Sequence, residues 1–76
     1  MTIIFKEYDK NNPLDMLNKK LARLSKGRFE LRLSKNHIWY LYDYDFREIT
    51  RDAFQVKDTL DCMGLTLEFR ELKELI

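Results

Sequence analysis

A single cysteine, Cys62, has nothing to pair with inside the chain. This excludes the disulfide framework by which small secreted domains offset a thin core. The lone histidine, His37, together with that one thiol cannot build an ordinary zinc site, and neither a metal nor a cofactor is expected. Cys62 also lies close in sequence to Asp58 and Asp61, whose charge disfavours a reactive thiolate. The only two glycines, Gly27 and Gly64, stand where helices should stop, leaving no glycine-rich loop to cradle a phosphate. Asp43 and Asp45 form an Asp-x-Asp pair, which arises often by chance, and both have structural uses as ion-pair partner and helix cap. Enzyme chemistry therefore finds no machinery here, and a non-enzymatic protein is expected.

Long apolar runs are missing too. No stretch approaches the ~20 residues a bilayer-spanning helix needs. The N-terminal apolar residues meet a charge at Lys6, too early for the core of a signal peptide, so the cytoplasm is the expected location. Alanine, glycine and proline together supply five residues, whereas Lys, Asn, Ile, Phe and Tyr supply twenty-six. That contrast follows AT-rich codons and suggests a low-GC bacterium or its phage as the source; a GC-rich coding sequence would contradict it.

What is present suffices for one core. Of 76 residues, 45% are hydrophobic and ten are aromatic, which argues against disorder and for a single domain over residues 1–76. The net charge of +1 hides a split: residues 1–35 hold nine Lys/Arg against four acids, and residues 36–76 hold five against nine. Such asymmetry can orient a partner.

Along the chain, Thr2 to Tyr8 is rich in β-branched and aromatic residues and reads as a strand. Asn12 and Pro13 suit the cap and first position of a helix, which Leu14, Leu17, Leu21 and Leu24 continue on one face before Gly27. Phe29, Leu31 and Leu33 alternate with Arg28, Glu30 and Arg32 as a half-buried strand, and Ile38 to Asp43 makes its partner. A two-residue loop at Lys35-Asn36 would pair Leu33 with Ile38, Leu31 with Tyr40 and Phe29 with Tyr42 on the inner face. The outer face would then pair Arg32 with Trp39, Glu30 with Leu41 and Arg28 with Asp43. Asp45 and Glu48 have capping-box spacing ahead of a second helix carrying Phe46, Ile49, Ala53, Val56, Leu60 and Met63, although Thr50 offers an alternative cap. Leu65, Leu67 and Phe69 alternate as a last strand, which residues 71–76 either extend or follow as a short helical tail. The expected architecture is α+β: a four-stranded antiparallel sheet with two helices on one face, in the β-α-β-β-α-β order of ferredoxin-like sandwiches.

In that architecture one sheet face stays open, and it would carry Trp39, Leu41, Arg32, Arg28 and Arg70, with Lys6 and Tyr8 from the first strand. Tryptophan beside arginine is the composition of binding hot spots. The expected role is binding a larger protein as an inhibitor or modulator, of the kind a phage or mobile element directs at host defence. Binding single-stranded nucleic acid on that face is the alternative, disfavoured by Glu30 and Glu68. The helix face bearing Lys19, Lys20, Arg23 and Lys26 is a second patch for phosphates or acidic surfaces, or an ordinary solvated helix back. A homodimer is a third arrangement that would cover the open face.

Overall fold

A computed structural model describes residues 7–75. Over that span the chain forms α1 (Pro13–Leu24), β1 (Phe29–Leu33), β2 (Trp39–Asp43), β3 (Glu48–Thr50), α2 (Ala53–Cys62) and α3 (Thr66–Leu75). The three strands make an antiparallel meander in the order β1-β2-β3. The domain is thus a small α+β unit with three helices and three strands among the described residues, and the four-stranded β-α-β-β-α-β arrangement is incorrect.

The first helix forms where its leucines and caps place it. The Asn12 side chain accepts from the amides of Leu14 and Asp15, and Pro13 takes the first turn, where no N–H is needed. Leu17 and Leu21 are buried on its inner face.

The β1–β2 hairpin differs from expectation by one residue. Its loop holds three residues, 35–37, rather than two. Ser34 donates its amide to Ile38 O at 3.0 Å, His37 donates to Ser34 O at 3.0 Å, and His37 takes the left-handed conformation at φ 59°. This is the three-residue turn closed by a left-handed residue. Leu33 consequently pairs with Trp39, Leu31 with Leu41 and Phe29 with Asp43. One step of register turns all of β2 over. The two-residue loop would have buried Tyr40 and Tyr42, hydroxyls included, and exposed Trp39 and Leu41. The observed pairing buries Leu41 and leaves both tyrosines only half-buried on the far side. Burying two tyrosine hydroxyls is costly unless each finds a hydrogen-bond partner, whereas Leu41 brings no polar group to satisfy.

Two further segments depart from expectation. Residues 44–47 form a turn, with the Asp43 carboxylate accepting from the amides of Asp45 and Phe46, and residues 48–50 pair with β2 as β3. The second helix starts only at Ala53, capped by Asp52, whose carboxylate accepts from Phe54 and Gln55. Residues 66–75 are helical rather than extended. Gly64 at φ 73° ends α2, with Leu65 N–H donating to Leu60 O and Gly64 N–H to Asp61 O, a Schellman turn. Beyond it Leu65, Phe69 and Leu72 are buried at helical spacing while Leu67 is exposed. Of the expected first strand, residues 2–6 lie outside the described residues, and residues 7–8 are not strand.

The core is a single cluster in which Leu17 and Leu21 of α1, Val56 and Leu60 of α2, and Phe69 and Leu72 of α3 close over Leu31 and Leu41 of the sheet. One polar side chain belongs to it. Asn18 donates its Nδ2 to Leu31 O at 2.9 Å and accepts from Leu31 N–H at 2.7 Å. Leu31 pairs with Leu41 without exchanging backbone hydrogen bonds, so these two groups point off the edge of β1. The carboxamide takes the place of one residue of a neighbouring strand.

Candidate functional site

The sheet face opposite the helices is built from alternate residues of β1 and β2: Glu30, Arg32, Tyr40 and Tyr42, continued by Tyr44. Its charges are already satisfied within the chain. Glu30 accepts from Arg32 Nε at 2.8 Å and from the Tyr44 hydroxyl at 2.7 Å, and Arg32 also donates to that hydroxyl at 3.3 Å. The hydrogen bond to Glu30 holds the Arg32 guanidinium more firmly protonated, against the opposing effect of burial. Burial and the bond to Glu30 push the Tyr44 hydroxyl up, with Arg32 opposing. The guanidinium lies 4.6 Å from the Tyr42 ring centre, and Tyr44 meets that ring edge-on at 4.7 Å. A base stacking on Tyr42 would have to displace one of these groups.

The residues expected to line an open face are therefore dispersed. Leu41 is in the core at 2% exposure, and Trp39 lies half-buried on the helix side with its ring edge-on to Phe69 at 5.5 Å. The physical reason is the longer hairpin loop. Arg28 folds round the sheet end, pairing with Asp43 at 3.0 Å and covering the Phe46 ring at 5.0 Å. Arg70 is exposed on α3 rather than on a strand, Tyr8 lies ahead of α1, and Lys6 is outside the described residues. Lys19, Lys20, Arg23 and Lys26 are all exposed along and just after α1, with Lys20 3.9 Å from Glu68 of α3. His37 and Cys62 are exposed and far apart in the sequence, and no cluster of three metal-ligating side chains occurs among the described residues. Nor is any described helix long and apolar enough to cross a membrane.

Turning β2 over moves the tryptophan from one candidate surface to another. A cleft of about 460 Å³ opens where the hairpin tip meets the start of α2 and the side of α3. Trp39, Val56 and Phe69 line its apolar interior. Ile38 and Phe54 flank it with 50% and 78% of their surfaces exposed, which puts two large uncovered apolar side chains at one spot. Around them stand His37, Arg51, Lys57 and Lys73, and among the described residues no carboxylate lines the cleft. The Lys73 ammonium sits 4.8 Å from the Phe69 ring centre, where the ring face attracts it. Acids adjoin these cations in sequence, Asp52 after Arg51, Asp58 after Lys57 and Glu74 after Lys73, and of them Asp52 is occupied capping α2. Volume and lining match those of small-ligand and peptide-anchor sites, which typically span roughly 300–1,000 Å³.

Phe54 carries the one sequence signal that could have revealed this site. It falls outside the apolar set Val56, Leu60 and Met63, an aromatic on the polar side of its helix. Comparison with family models, with curated proteins and with solved structures gave no match, so any functional reading rests on the chain's own geometry.

Proposed function

We propose that the chain is a small non-enzymatic module that binds a larger protein through the cleft between the hairpin tip, α2 and α3. The observation that carries this reading is the pair of exposed apolar side chains, Ile38 and Phe54, beside an interior of Trp39 and Phe69. Aromatic side chains in a concave, cation-rimmed site are the usual anchors of protein recognition. The outer sheet face supports recognition less, because Arg32 and the rings of Tyr42 and Tyr44 are engaged with one another. A partner seated in the cleft would have this domain laid over its own surface, as an inhibitor or modulator requires.

Affinity capture from a low-GC bacterial lysate, with wild type, Phe54→Ser and the outer-face variant Tyr40→Ala, tests the reading. A partner retained by wild type and Tyr40→Ala but lost by Phe54→Ser is the expected result. Identical capture by all three, or loss only in Tyr40→Ala, would contradict it. Phe54 is 78% exposed, so its replacement should leave the thermal melt within a few degrees of wild type.

A further inference from the structure

We infer that the cleft takes an acidic peptide segment bearing a single large apolar anchor, the anchor entering over Trp39 and Phe69 and the acids meeting Arg51, Lys57 and Lys73. This rests on the binding-module reading and names the chemistry of the partner. The charge pattern carries it. The cations come from three separate elements: Arg51 from the approach to α2, Lys57 from α2 itself and Lys73 from α3. A ligand with one negative group could pair with one of these cations, whereas several acids spaced along a short peptide can pair with more than one. Ile38 and Val56 make part of the lining aliphatic, which suits a leucine or phenylalanine side chain better than a stacked base.

The surroundings distinguish a short acidic segment from a nucleic acid strand. Residues 36–76 hold nine acids against five Lys/Arg, and three of those five cations line the cleft. Asp58 and Asp61 are exposed on α2, and Glu71 and Glu74 on α3. A polynucleotide brings a phosphate at every nucleotide and would meet the acids that adjoin these cations, Asp58 beside Lys57 and Glu74 beside Lys73. A short peptide places its acids over the cations and ends there.

The test is a random twelve-residue peptide library displayed on phage and panned against the whole chain. Selected peptides are then measured by fluorescence anisotropy against wild type, Phe54→Ser and the double variant Lys57→Glu/Lys73→Glu, beside a fluorescein-labelled oligothymidylate. The expected consensus is one aromatic or leucine flanked by aspartate and glutamate. Its affinity should fall about tenfold or more in each variant and weaken as salt rises. A neutral or basic consensus still lost in Phe54→Ser would overturn the acidic chemistry while leaving the cleft as a binding site. Peptides that bind Phe54→Ser as tightly as wild type, or a library that yields no enrichment, would overturn both. Tighter binding of the oligothymidylate than of any peptide would replace the proposal with nucleic acid recognition. A mass that rises with concentration in light scattering, and does not rise for Phe54→Ser, would replace it with self-association.

Discussion

Removing the carboxamide of Asn18 would leave the N–H and C=O of Leu31 inside the core with no partner. Each such group costs roughly 1–3 kcal/mol, so Asn18→Ala should destabilise the domain by about 2–4 kcal/mol in urea denaturation. A loss under about 0.5 kcal/mol would show that another group closes that edge of β1. Asp43 makes a prediction of a different kind. Burial pushes its carboxyl up, but the Arg28 guanidinium and the amides of Phe46 and Asp45 outweigh that effect and hold it below the usual carboxylate range. A carboxyl lowered on folding binds fewer protons in the native state than in the unfolded chain. Its contribution is therefore complete above about pH 5 and disappears as the pH falls below about 4, through the lowered native value. Asp43→Asn should cost about 1–3 kcal/mol at pH 7 and flatten the acid limb of the stability profile between about pH 2 and 5. An acid limb unchanged from wild type would assign that limb to other carboxylates.

Among the elements, α1 and β1 were legible because periodicity and capping agreed: Asn12, Pro13 and the leucines of α1 all indicated one helix. The hairpin was not, because Ser34-Lys35-Asn36-His37 fits a two-residue or a three-residue loop equally well by composition, and a non-glycine residue hides the left-handed position. The last helix was missed because Leu65, Leu67 and Phe69 satisfy both an alternating and a helical period. The strong helix formers that follow, Glu68, Arg70, Glu71, Lys73 and Glu74, should have decided it. The short β3 was hidden in the same way by Phe46, Ile49 and Ala53, which happen to fall at steps of three and four. The loop itself can be tested. His37 at φ 59° bears the left-handed penalty of about 1–2 kcal/mol. Glycine removes that penalty at an entropic cost of roughly 0.5–1 kcal/mol, so His37→Gly should stabilise by about 0.5–1 kcal/mol. A lower melting temperature in His37→Gly would mean that the imidazole makes contacts worth more than the strain.

For the molecule as a whole, hydrophobic pattern alone indicated an α+β chain with helices on one side of a sheet. It did not indicate which surface was left for a partner. That depended on the three-residue loop, which moves Trp39 from the outer sheet face to the helix side and into the cleft beside Phe69. The outer face retains arginine and tyrosine, but Arg32 and Tyr44 are engaged with Glu30 and with the Tyr42 ring. The cleft combines uncovered apolar side chains, which are costly to leave exposed without use, with the cations Arg51, Lys57 and Lys73.

A two-dimensional NOESY spectrum of the protein tests the orientation of Trp39 most directly. The register described here predicts cross-peaks between the Trp39 indole and the Phe69 ring, and a strong Hα–Hα cross-peak between Leu31 and Leu41. An indole in contact with Arg32, accompanied by an Hα–Hα peak from Leu31 to Tyr40, would contradict both the fold of the hairpin and the site derived from it.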